Sequence, residues 1–527
     1  MQYKKIVSAL VLSGIFTSPT LAFANDSTEL EELRALVQEL DQKVKILARK
    51  GEVAEEDASA AKKTTPVVKA SEKGFGLESA DGKNVIKLRG LLQADYRSYQ
   101  DGANDVRGRS NNRAGNLNAD GFHDANDTAL LRRVRPTIEG TVLGKYDFRF
   151  TPEFAGGSAS VVDAYIDARL DPSFKIRAGK YKPFVGLERL QSGGDIKFVE
   201  RSYVTNAILP NRDTGISVYG DVFGDKLNYA FGINNGVVDG GNASGVAEFD
   251  SNKEVTARLF ATPFKDETNA LAGLGFGIAG TYTNIDGERN LDFTNTSAAD
   301  ATRNGLPSYL TDGQQTFFRY GSTSVADGKR TRIAPQANYY YGPLGLIAEY
   351  ARVNQEVSLL NSTVSNAGTA FVAGSNKKLS HDAWQIAASY LITGEDASFK
   401  GVKPKQDFDL DKGGWGAWEL VARYSEINLD EDTFKNKAGA YAGEGLATIA
   451  SAYSDLSKSA KSAHSWVAGV NWYLNQNAKI QLNYEHTKFD GGAINGPSAT
   501  TNINPTGSNV KDRESEDALL ARLQVAF

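Results

Sequence analysis

From residue 84 to the last residue, the chain repeats segments of about ten residues in which apolar and polar side chains alternate. In "NVIKLRGLLQADYRSY", Ile86, Leu88, Gly90, Leu92, Ala94 and Tyr96 take one face, and Lys87, Arg89, Gln93, Asp95 and Arg97 the other. "RRVRPTIEGTVLG" and "YDFRFTPEF" continue the pattern, and so on to the terminal "ALLARLQVAF". A period of two is a strand. The count is about sixteen strands. The last strand stops at Phe527 with no polar tail beyond it, so its edge needs a partner. A closed barrel supplies one, because closure leaves no edge.

The connections alternate in length. Short ones ("GK", "DPS", "FGD", "YGPL", "NQN") fall on one side, and long Gly/Asn/Ser/Asp-rich ones on the other. The connection 394–416 is long where a short turn is expected. After the first residues no run of 18 apolar residues exists, so no helix is expected to span a membrane. With 52 Gly, 22 Tyr and 25 Phe and a mean hydropathy of -0.38, the pattern fits an all-β fold: a transmembrane antiparallel β-barrel over residues 80–527. A secreted β-sandwich or β-helix shares the composition. Trp418, Tyr424, Trp466, Trp472 and Tyr484, placed for two interfacial girdles, favour the barrel.

Residues 1–24 read as a signal peptide: basic "MQYKK", an apolar stretch, then Ala22-Phe23-Ala24. Residues 25–50 carry a 3-4 apolar spacing through Leu30, Leu33, Val37, Leu40, Val44 and Leu47, a short coiled-coil helix suited to self-association. Residues 51–79 read as a flexible linker. There is no cysteine, and the four histidines lack ligand spacing, so neither metal nor cofactor is expected. Of 59 basic residues the leader removes Lys4 and Lys5, leaving 57 against 64 acidic, a net charge of -7. That balance argues against a nucleic-acid partner. The scattered histidines argue against a catalytic constellation, hence against an enzyme.

Several stretches resemble the phosphate-selective porin O and P family: "LRRVRPTIEGTVLGKYDFRFTPEF", "IRAGKYKPFVGLERLQS", "FVERSYVTNAILPNRDTGISVYG", "GAWELVARYS" and "GVNWYLNQNAKIQLNYEH". The resemblance covers roughly residues 80–527. It implies a sixteen-stranded homotrimeric porin in the outer membrane of a Gram-negative bacterium. It also implies a folded-in third loop and a positively charged path for phosphate, polyphosphate or other small anions. The N-terminal helix would lie in the periplasm, and outer-membrane lipid would surround the barrel. Where the family shows a Lys-Pro-Pro-Phe-Gly-like run, this chain has Lys182-Pro183-Phe184-Val185-Gly186.

A porin needs a constriction and a charge pattern. By strand parity Arg89, Arg97, Arg133, Arg135, Arg149, Arg169 and Arg177 face the lumen, and later strands add Arg258, Arg332, Arg423 and Arg522. Their planar forks suit oxyanions. The same face carries Asp95, Glu139, Asp147, Glu153, Asp163 and Asp167, so cross-strand wall pairs are the competing reading. The loop 181–214 supplies Lys182, Arg189, Lys197, Arg201 and Arg212. Lys87, Lys175, Lys226 and Lys479 start upward strands and are expected, loosely held, at the periplasmic mouth. Phe527 is expected to close the barrel. The alternatives are a general or weakly cation-selective porin, or an outer-membrane anchor whose helix binds a periplasmic partner.

Overall fold

Helix α1, Asp26–Thr64, is the first of two units in the computed structural model. The structure describes residues 26–71, 74–100, 104–105, 123–124, 126–243, 250–287, 304–321, 323–359, 375–435, 452–456, 458–494 and 510–527. The expected signal peptide lies outside the described residues. The helix runs past the expected end at 50, because "GEVAEEDASAAKKT" is rich in Ala, Glu and Lys, all strong helix formers. Leu33, Val37, Leu40, Val44 and Leu47 are each more than half exposed. Exposed Lys43–Glu39 and Lys45–Asp41 pairs at i,i+4 spacing line the helix. Farther along the expected linker, Val67–Ser71 and Gly74–Glu78 pair as antiparallel strands.

The second unit is a closed barrel of sixteen antiparallel strands. These are β1 (Val85–Tyr99), β2 (Thr128–Val142), β3 (Tyr146–Glu153), β4 (Ser160–Asp171), β5 (Phe174–Tyr181), β6 (Asp213–Val222), β7 (Leu227–Asn234) and β8 (Glu254–Ala261). They continue as β9 (Leu274–Asp286), β10 (Ser324–Tyr341), β11 (Leu344–Leu359), β12 (Lys377–Leu391), β13 (Ala417–Asn428), β14 (Ala460–Tyr473), β15 (Ala478–Ile494) and β16 (Glu516–Ala526). Each pairs with the next, and β16 closes on β1 from Ala518↔Tyr99 to Ala526↔Leu91. Alternation sorts the faces as expected. On β13, Glu419, Val421, Arg423 and Ser425 are buried inside the barrel while Leu420 and Tyr424 face out. The outward aromatics form two belts. Trp418 stacks on Trp472 at 5.0 Å, and Trp466 meets Tyr484 at 5.3 Å. Trp466 and Trp472 lie six residues apart on β14, roughly 20 Å along the strand.

At the seam, Gly90 and Phe527 exchange both backbone hydrogen bonds. Below them β1 still has a free edge, and the strand Gly74–Glu78 takes it, from Phe75↔Leu88 to Glu78↔Val85. The Phe75 and Phe527 rings meet edge to face at 6.5 Å.

Among the described residues, two long connections on one side of the barrel fold into the lumen. Loop 182–212 joins β5 to β6. Between β9 and β10 a small hairpin, Ser308–Leu310 with Thr316–Arg319, also turns inward. Its tip is held by the wall: the Thr311 hydroxyl donates to Glu516 at 2.8 Å, Arg423 donates to Asp312, and the Tyr99 hydroxyl donates to the Gly313 carbonyl. Tyr309, Phe317 and Phe318 pack with Tyr203, Val204 and Ile208 of loop 182–212 and with inward Val353, Leu379 and Ile427. Much of the lumen is therefore an apolar core rather than water.

Candidate functional site: a basic cavity in the lumen

Beneath loop 182–212, on the short-turn side, lies a cavity of about 900 Å³. Its cationic lining is Arg89, Arg135, Arg149, Arg177, Lys182, Arg212, Lys400, Lys403 and Lys479, against Glu139, Asp163 and Asp195. Strand parity brings Arg89, Arg135, Arg149 and Arg177 there as expected. Lys400 and Lys403 were missed. They come from the long connection 392–416, which turns inward: Phe399 packs near Leu187 and Phe198, and Gln191 Nε2 donates to the Phe399 carbonyl at 2.8 Å. That is why a long segment stands where a short turn was expected.

Most lumen arginines are bound to acids of the wall or of the loops folded against it. Arg89 pairs with Glu139, as does Arg149 at 3.4 Å. Arg135 meets Glu153 at 2.6 Å, Arg97 meets Glu200 at 2.8 Å, and Arg169 meets Asp147 at 2.7 Å at the rim. Arg177 is forked on Asp167 at 2.7 and 2.8 Å, with the Tyr165 ring 4.1 Å from its guanidinium carbon. Arg133 is buried and bonded to Gln93, with no acidic partner among the described residues. Farther round the wall, Arg258 binds Gln336 and Asn228, Arg332 binds Asp239 and Glu254, Arg423 binds Asp312, and Arg522 is forked on Asp95.

Three of the four mouth lysines depart from expectation. Lys479 is buried, and its ammonium donates to the Ile196 carbonyl at 2.8 Å, because the inward loop covers it. Lys175 and Lys226 are tied to Asp221 and Asp266, so they are not loosely held. Lys87 is exposed, opposite Glu139 in the β1–β2 register.

The loop's own charges anchor it. Lys197 pairs with Glu419 at 3.2 Å, and Arg212 with Asp163 at 3.0 Å. Among the described residues, Lys182, Arg189 and Arg201 donate to backbone carbonyls: those of Gln191, of Thr205, and of Glu188 and Gln191. Burial, with Arg201 and Arg212 close by, pushes the Lys182 ammonium well below its usual range. Burial also lowers Arg201 to about 10. Burial alone would raise Glu200, but Arg132 and Arg97 outweigh it and hold the carboxyl well below the usual range.

Arg132 was also missed. Parity sends it outward, yet a bulge sits opposite Gln93 and Ala94. An extra residue there lets Arg132 turn in with Arg133 and grip Glu200 at 2.6 and 3.1 Å. The Arg-Arg doublet in "LLRRVR", where alternation breaks, was the available signal.

A closed barrel with a charged, partly occluded lumen defines the class: a porin of the outer membrane. A sequence model of the family "Phosphate-selective porin O and P" matches residues 105–527, and the chain belongs to that family. Among relatives, Porin O of Pseudomonas aeruginosa is 22% identical over 446 residues, 79% of this chain and 86% of that protein. Similar solved structures include the outer-membrane channel DcaP of Acinetobacter baumannii (12% identity, 86% of this chain and 99% of that one, TM-score 0.47). Another is OprB of Pseudomonas putida (10% identity, 84% and 94%, TM-score 0.46).

Proposed function

We propose that this porin selects anions and passes phosphate-class oxyanions. The observation that carries the reading is the cavity lining, nine basic side chains against three acidic, with Glu153 and Asp167 paired to Arg135 and Arg177, in a chain whose net charge is -5. Lys400 and Lys403 have no acidic partner within 4 Å among the described residues. A low-dielectric wall focuses such a field on the path. The wall pairs favour a second reading, a general porin whose arginines are structural. Reversal potentials of the purified protein in a planar bilayer under a salt gradient separate the two. The anion reading expects chloride preference and block of chloride current by phosphate; a cation preference would overturn it.

We further propose a homotrimer, with α1 in the periplasm assisting assembly. Strands β3, β5, β7 and β8 have eight residues each, below the 9–11 or so that cross a bilayer. Strands β10–β12 have 15 to 18. A second copy against the low wall answers that mismatch, and the exposed heptad seam of α1 supports the same assembly.

A further inference from the structure

The outer half of the connection 392–416 is as definite as its inner half and serves none of the lumen. The Phe408 amide donates to the Leu474 carbonyl at 2.6 Å, and the Phe408 ring stands edge-on to Trp472 at 5.0 Å. Asp409 and Gly414 exchange two backbone hydrogen bonds of 3.0 Å, closing a tight loop. The Trp415 carbonyl accepts from both Trp418 Nε1, at 3.2 Å, and Trp472 Nε1, at 2.9 Å. One carbonyl thus satisfies both indoles of the belt and ties the loop to the outward face. The loop then presents two large apolar side chains to the outside: Leu410 is 80% exposed and Trp415 66%.

We propose that this loop is a membrane foot: Leu410 and Trp415 sit at the headgroup boundary of the phospholipid leaflet on the short-turn side. The patch is continuous with the lipid-facing wall through Trp418 and Trp472. An indole at the interface keeps its apolar body in lipid and its polar edge wet. Asp407, Asp409 and Asp411 stand against Lys405 and Lys412, so attraction to anionic headgroups is not the basis. A zwitterionic leaflet suffices, which distinguishes the foot from an electrostatic contact.

The chain has no cysteine, so Leu410→Cys carries a unique nitroxide on the full-length porin in phosphatidylcholine vesicles. A label at Leu420→Cys, on the lipid-facing wall, is the reference. At position 410 collisions with oxygen should exceed those with a water-soluble nickel complex, at a shallower depth than at 420. Nickel collisions exceeding oxygen would place the loop in water and overturn the proposal. Low rates for both would overturn it too, by showing that another copy of the chain covers the loop.

Discussion

Gly90 lies beneath the ring of Phe527: a β-carbon at position 90 would come within 2.5 Å of Cε1 and Cζ of that ring. The seam thus depends on a missing side chain on one strand and a large one on its neighbour, a pairing known to rescue glycine in sheets.

Gly90→Val should therefore lower the amount of closed barrel, read as heat-modifiable mobility on a gel. Phe527→Ala alone should lower it as well. Combining the two should recover part of the loss, because the clash is gone. Losses that simply add in the double variant would show that the two positions do not interact.

Arg135→Gln and the pair Lys400→Gln, Lys403→Gln should each shift the reversal potential toward cations and leave the barrel's heat stability within about 0.5 kcal/mol for the exposed lysines. Arg133→Gln should instead reduce folded yield, since that guanidinium is buried against Gln93 and Gly193. Equal selectivity shifts at 133 and 135 would contradict this division.

Arg332 is fully buried between Asp239, at 2.6 Å, and Glu254. Arg332→Leu strands one of two buried carboxylates, a loss of about 3–5 kcal/mol. Urea unfolding should show it, while the leucine variant that still folds should keep its ion preference.

How much of this was legible in the sequence depends on what fixed each part. Strand parity is set by a period of two, so β1, β13 and β14 read correctly from residues alone. The bulge at Arg132 depends on a register shift that no single strand reveals. The burial of Lys479 depends on a loop nearly 300 residues away. The inward hairpin 308–319 and the inner half of 392–416 are placed by contacts across the lumen, such as Thr311 to Glu516, and so left no local pattern. The helix beyond residue 50 is legible from propensity, but its polar composition is one a flexible linker shares.

Burial raises the Asp312 carboxyl from its ordinary value to about 6, with Arg423 opposing and Glu188 and Glu200 reinforcing. The docked hairpin should therefore hold a proton that the undocked one releases. Docking should strengthen as pH falls from about 6, with the gain complete below about 4, and should be weakest and unchanging above about 6. Amide protection in 308–319, taken relative to the intrinsic exchange rate at each pH, should be higher at pH 5 than at pH 7.5, and Asp312→Asn should flatten that difference. Lower protection at pH 5 than at pH 7.5 in the unmodified protein would reverse the sign and refute it.

Deleting residues 26–64 should leave oligomers that form but dissociate at lower temperature on a gel, because the seam of α1 adds contact area without supplying the barrel's own. An unchanged dissociation temperature would remove the helix from assembly.

The apolar core inside the barrel gives packing an unusual readout. In a soluble protein, a void left by trimming Phe317 or Tyr203 is a loss of contacts felt as lower stability. Here the same void would open inside the bore of a porin, because the cluster that holds both rings fills the lumen. Once wide and polar enough for water it becomes a leak, so a packing defect a few methyl groups in size would be recorded as electrical noise.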